Sequence, residues 1–182
     1  MRRVLDTLYR AAGGLAAMFI AAIVALVFAQ VILNLADKIT AAITGTGLGI
    51  TIPSYADFTG FFLAAASFLA LAYTLRAGGH IRVTLVTRTL SERTRHLTEI
   101  AVTAIALAMS AFATWYMILL VIESHEFGDK SAGMVSVPLW IPQLPVAAGL
   151  CILTLALADE LFGLLRGRPA SWSGKGENLL EE

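Results

Sequence analysis

The chain has 182 residues, of which 58% are hydrophobic and only 14% are charged, and its mean hydropathy is +0.78. These values lie outside the range of soluble domains and predict an all-α membrane protein. The formal net charge is zero, with 13 basic and 13 acidic residues, which disfavours a nucleic-acid partner. The single cysteine, Cys151, excludes an internal disulfide.

The first predicted element is a transmembrane helix over residues 11–36. Basic residues precede this stretch, and the stretch itself contains no charge. A signal peptide would have an apolar core of only about 7–15 residues, whereas roughly 20 apolar residues cross a bilayer. The run therefore predicts a retained helix.

Small residues recur at every fourth position of this first span. Such a strip lets helix backbones approach closely, so we expect it to pack against another helix. Its members are Gly13, Ala17, Ala21, Ala25 and Ala29. Gln30 and Asn34, near the far end, are expected to face a partner helix or the interface.

The next uncharged stretch, residues 39–56, is not predicted to cross the membrane. It alternates glycines at 45, 47 and 49, contains four threonines and ends near Pro53, a composition poor in helix propensity. Its backbone would be unsatisfied in lipid, so it should lie outside the hydrocarbon or be covered by protein. The second predicted span follows at residues 58–75.

A basic connection leaves this second span. Arg76 ends the helix, and Gly78 or Gly79 supplies the left-handed residue that commonly terminates one. The apolar residues that follow fall on one side of a short helix, which predicts an amphipathic elbow lying flat in the headgroup region. Ser91 is a predicted N-cap. The residues expected to contact lipid or a partner are Arg76, Gly78, Gly79, His80 and Arg82.

Two further spans are predicted, at residues 100–122 and 139–158. Trp115 and Tyr116 lie toward the far end of the third span, where we expect them to anchor the helix at the interface. Pro138 and Trp140 open the fourth span and are expected to do the same. Residues 1–165 are predicted to form one four-helix domain, followed by a polar tail over residues 166–182.

Charge placement predicts the orientation. Counted by side for four crossings, 11 Lys and Arg residues share the side of both termini, and only Lys38 and Lys130 lie opposite. The positive-inside rule therefore predicts cytoplasmic N and C termini. A fifth crossing would separate the basic regions.

The sequence predicts no enzyme, cofactor, metal or substrate site in this chain. Ionisable groups inside a membrane usually mark ion or substrate paths, and the four spans carry them only at their ends. Haem would need axial ligands within the bundle. The three histidines, His80, His96 and His125, lie instead in connections.

The chain nevertheless resembles a known family. The run Arg76-Ala-Gly-Gly-His-Ile-Arg-Val83 after a second span, and the Pro138-x-Trp140 and Pro145-Val146 pattern opening a fourth, are similar to the small membrane subunit of tripartite ATP-independent periplasmic (TRAP) transporters. Gln30-Val31 late in the first span also fits. Asn34 and Thr84 depart from the family pattern, which often has arginine and an acidic residue there.

The resemblance implies a DctQ-like accessory subunit of the bacterial inner membrane. It would scaffold a large membrane subunit that imports organic acids with a sodium gradient, while a periplasmic protein delivers the substrate. Anionic lipids are also expected partners, because the elbow is basic. Two alternatives remain open: a small homo-oligomeric channel or carrier, and a membrane anchor for a redox enzyme.

Overall fold

Four long helices make up the part of the fold that the structure describes. The structure, a computed structural model, describes residues 2–79, 91–168 and 171. Its helices are α1 (Arg2–Thr44), α2 (Tyr55–Ala77), α3 (Glu92–Glu126) and α4 (Trp140–Leu165). Each is long and apolar enough to cross a membrane. The predicted all-α fold with four spans is therefore confirmed.

The helices are not packed in chain order. α1 packs along α2, α2 packs along α4, and α4 packs along α3, while α1 touches α4 to a much smaller extent. The two helices that start and end this row, α1 and α3, therefore each have one extensive neighbour within the described residues. Most of their apolar surface stays exposed.

α1 is longer than a bilayer requires. Its 43 residues extend about 65 Å at the helical rise, against about 30 Å of hydrocarbon. The helix passes through Asp37 and Lys38, where the sequence predicted the span to end, and stops at Gly45, which has a φ of 79°. The hydroxyl groups of Thr40 and Thr44 donate hydrogen bonds to backbone carbonyls one turn earlier, so these polar groups have partners within the helix. Residues 39–56 are thus partly helical.

The connection after α1 folds back along the helix that precedes it. The Asp37 carboxylate accepts a hydrogen bond of 2.7 Å from the Gly49 N–H. Further back, Gln30 donates to the Thr51 hydroxyl at 3.0 Å and accepts from the Ile52 N–H at 2.8 Å. Gln30 is only 4% exposed, so its polar groups act as the anchor for this returning segment.

α2 and α4 approach each other most closely at Gly149. A Cβ added to this glycine would lie 2.5 Å from the backbone carbonyl carbon of Phe68 and 2.6 Å from its oxygen. Only a residue without a side chain fits there. The hydrophobic core lies nearer the Arg76 end of the same helices, where Ala72 and Ala156 are fully buried.

Polar side chains join α3 to α4. The Thr154 hydroxyl is 2.8 Å from that of Ser110 and 2.9 Å from that of Thr114. Gln143 donates to Ser124 at 3.0 Å. Hydroxyl pairs of this kind satisfy polar groups where lipid offers no partner.

α3 begins well before its predicted span. The Ser91 side chain accepts a hydrogen bond from the Thr94 N–H at 3.3 Å, so the predicted N-cap is confirmed. α4 likewise continues past its predicted end at residue 158 as far as Leu165. Asp159 and Glu160 lie within this helix, and Arg76 of α2 pairs with both of them.

The connection between α3 and α4 forms a short hairpin. Lys130 pairs with Pro138 in an isolated antiparallel bridge, and the Ser131 N–H donates to the Val137 carbonyl at 2.8 Å. The Val135 N–H donates to the Ser54 hydroxyl at the start of α2, at 2.9 Å. This connection and the segment after α1 therefore meet at one end of the molecule, here called the loop end; the opposite end is the termini end.

Candidate functional site

Arg76 lies at the C-terminal end of α2 and contacts two other helices. One guanidinium nitrogen is 2.7 Å from Asp6 of α1, and the other is 3.4 Å from both Asp159 and Glu160 of α4. The guanidinium carbon also lies 5.3 Å from the centre of the Tyr9 ring. These five residues are called the Arg76 clamp.

The clamp is largely removed from water. The Arg76 side chain is 16% exposed and that of Glu160 is 5% exposed, whereas Asp6 is 46% exposed. A charge in such a place is costly unless it is paired and hydrogen-bonded. The second oxygen of Glu160 accepts a 2.5 Å hydrogen bond from the Ser171 N–H, which completes its pairing. The geometry makes the clamp a joint between three helices.

The chain turns immediately after Arg76. Gly78 has a φ of 76°, and the N–H groups of Gly78 and Gly79 donate to the carbonyls of Leu75 and Thr74. This left-handed helix ending is the one predicted from the two glycines. His80, Arg82 and the predicted amphipathic helix lie outside the described residues, so the position of the elbow stays a prediction.

The predicted interface anchors lie on α3 and at the start of α4. Trp140 is half-buried, and its ring meets that of His125 at 5.4 Å, edge to face. Pro138 forms the hairpin bridge described above. Trp115 and Tyr116 are exposed on α3, and the Tyr116 ring lies 4.6 Å from that of Phe112. Their role at a membrane interface stays a prediction.

The strip of small residues on α1 is divided between two environments. Gly13 faces α2, where an added Cβ would lie 2.9 Å from the Tyr73 ring. Ala29 is partly buried, but Ala17, Ala21 and Ala25 are exposed. Packing of α1 within the chain instead uses a neighbouring face, which includes Tyr9, Ala12 and Ala16.

The acidic partners of Arg76 were not predicted from the sequence. Predicted topology placed Asp6, Arg76 and Glu160 near helix ends on one side of the membrane, and their opposite charges were the available signal. Which faces of the helices meet was not visible in the sequence. Among the described residues, no group of three or more His, Cys, Asp and Glu side chains is arranged to hold a metal ion.

The sequence of this chain matches one known protein family over most of its length. The model for "Tripartite ATP-independent periplasmic transporters, DctQ component" matches residues 39–167. The chain belongs to the DctQ family. The matched range covers α2, α3, α4 and the last residues of α1, which is more than half of the chain. Comparison with curated proteins gives no match.

The predicted resemblance is therefore confirmed. A DctQ component is the small membrane subunit of a TRAP transporter, so this chain is a multi-pass membrane protein of a transport system. The family is one of transporter components and is not an enzyme family. Such a system also includes a large membrane subunit and a periplasmic binding protein.

Proposed function

We propose that this DctQ subunit is a scaffold for the large membrane subunit of its transporter, in the bacterial inner membrane. The observation that supports this most is the exposure of the two edge helices. In the most apolar 18-residue stretch of each helix, only 11% of α1 and 6% of α3 is buried within the described chain. Such faces suit lateral contact with other membrane helices.

Transport itself is proposed to belong to the large subunit, which imports organic acids with a sodium gradient. Ion and substrate paths through membranes are usually lined by ionisable groups. In this chain the ionisable residues of α2 and α4 lie near the helix ends, and Arg76 is engaged by carboxylates of its own chain. These charges hold helices together, so they serve the fold.

The proposed orientation places the Arg76 clamp and both termini in the cytoplasm. The distribution of Lys and Arg, 11 on that side against two on the other, supports it. The loop end then faces the periplasm, where the binding protein delivers substrate. Residues 1–165 are proposed to act as one domain in this assembly, with anionic lipid at the basic elbow.

The test is reconstitution of purified components into vesicles carrying an inward sodium gradient. We expect organic acid uptake only when the small subunit, the large subunit and the binding protein are all present. The small subunit alone should leave solutes where they are. Uptake by this chain alone would favour the homo-oligomeric carrier, and a haem absorbance band in the purified chain would favour the redox anchor.

A further inference from the structure

α1 projects beyond the other helices at the loop end. Contacts fix its height relative to α2: Gly13 meets Tyr73, and Gln30 bonds to Ile52, three residues before α2 begins. From Gln30 the helix continues to Thr44, a further distance of about 20 Å at about 1.5 Å per residue. This projecting part has no counterpart in α2.

The hydrocarbon layer of the bilayer ends before α1 does. Asp57 in the first turn of α2 and Glu123 near the end of α3 mark where apolar stretches give way to charge. Tilting does not remove the excess at this end, because the stretch from Arg10 to Thr44, tilted by about 40°, still extends about 39 Å across a layer of about 30 Å. The stretch from Ile39 to Thr44 therefore lies beyond the hydrocarbon layer.

An apolar stripe runs along this part of α1. Phe28 lies at its base with 65% exposure, and Ile32, Leu35, Ile39 and Ile43 follow with 49%, 57%, 51% and 78%. Spacings of three and four residues place all five on one face. We call these five residues the α1 stripe. Its outer members, Ile39 and Ile43, are exposed where lipid tails do not reach.

The chain does not cover this stripe with its own described residues. Gln30 and Asp37 hold the returning segment after α1, and at about 100° per residue they lie on the side opposite the stripe. The segment is thus fixed away from the apolar face. The stripe needs another protein surface, because exposed apolar patches of this kind mark interaction sites.

The position of the stripe identifies the kind of partner. Toward the membrane it continues, on the same face, into the exposed small residues Ala17, Ala21 and Ala25. A partner that uses the whole face must lie against α1 inside the bilayer and also outside it. A periplasmic binding protein does not enter the bilayer, whereas a long helix of a membrane subunit does both.

We propose that the α1 stripe, with the small residues that precede it, is the docking face for a long transmembrane helix of the large subunit. This inference rests on the proposed scaffold function and names its surface. The three-and-four spacing suits a helix packed side by side at a shallow crossing angle, as in coiled coils. The partner helix should present apolar side chains at the same heights.

Glutamate substitutions outside the bilayer test this face without disturbing membrane insertion. In Ile39→Glu/Ile43→Glu, two charges enter the proposed interface, and we expect the yield of complex with the co-expressed large subunit to fall about tenfold or more. The matched control is Lys38→Glu, which lies on the same helical turn but about 100° away from Ile39. It should assemble like the unsubstituted chain.

Two readouts keep the result interpretable. The purified small subunit carrying Ile39→Glu/Ile43→Glu should retain its helix content and thermal transition, since both side chains are more than half exposed. Undiminished complex yield for this variant would overturn the inference while leaving the scaffold function standing. Failure of the unsubstituted chain to copurify with the large subunit would instead overturn the proposed function itself.

A photo-crosslinking residue at position 39 identifies the occupant directly. In membranes that contain all three components, we expect an adduct with the combined mass of the small and large subunits. An adduct of two small subunits, an adduct with the binding protein, or labelled lipid alone would each contradict the proposal.

Discussion

Arg76 forms ion pairs with two helices other than its own. Its two terminal nitrogens join α1, α2 and α4 through three carboxylates. The pair with Asp6 is partly exposed and contributes little, because solvent screens it. The contact with Glu160 is buried, so losing one partner leaves a charge without compensation.

Replacing this guanidinium should therefore loosen the termini end. We expect Arg76→Met to lower the stability of the purified subunit by about 3 kcal/mol, mainly because Glu160 and Asp159 lose their countercharge. Thermal unfolding followed by circular dichroism measures the effect. Arg166→Met is the control, since Arg166, directly after α4, stacks on Phe162 of that helix and should shift stability by less than about 0.5 kcal/mol. Equal melting of both variants would contradict the clamp.

For single residues, the sequence predicted the backbone conformation better than it predicted which side chains meet. The left-handed ending at Gly78 and the Ser91 cap follow from local chemistry, since a glycine or a serine acts on the backbone a few residues away. The pairing of Arg76 with Glu160 joins residues 84 positions apart. No local rule determines which of several acidic residues a distant guanidinium meets.

Among the elements, α2 and α4 depend on a close backbone approach at Gly149. We expect Gly149→Ala to destabilise the subunit by about 1–3 kcal/mol, because the new methyl group would overlap the Phe68 backbone. Gly163→Ala, on the same helix with open space around it, should instead stabilise by up to about 1 kcal/mol through helix propensity. Thermal unfolding of the two variants should move in opposite directions. A shift of the same sign and size would show that α4 is packed differently.

Helix ends were the least predictable feature of the elements. The sequence placed the end of the first span at residue 36, because charge at Asp37 and Lys38 closed the apolar run. Charge ends the hydrocarbon layer, but it does not end a helix, and α1 continues to Thr44. The same reasoning shortened the fourth span, whereas α4 continues through Asp159 and Glu160 to Leu165.

At the scale of the whole molecule, the orientation in the membrane is open to direct measurement. In a Cys151→Ala background, we expect Thr46→Cys and Met134→Cys to react with a membrane-impermeant maleimide in cells with a permeable outer membrane. Glu92→Cys should react only after the inner membrane is opened. All three positions are exposed, so access depends on the side of the membrane. Labelling of Glu92→Cys in intact spheroplasts would reverse the topology.

The number of spans was predictable, but their arrangement was not. Apolar length and charge balance define four crossings because both respond directly to the bilayer. The order of the helices, with α2 and α4 at the centre, depends on close contacts such as that of Gly149 with Phe68. The spacing of apolar residues in the sequence does not reveal such contacts. The exposed faces of α1 and α3 follow from that order.

The Arg76 clamp also has a consequence for biogenesis. Translation delivers Asp6 first, Arg76 70 residues later, and Glu160 a further 84 residues after that. Both partners of the ion pair between α1 and α2 are thus available while the rest of the polypeptide is still being synthesised. Glu160 then joins α4 to this hairpin, so the three-helix contact of the clamp forms only after α4 has been synthesised.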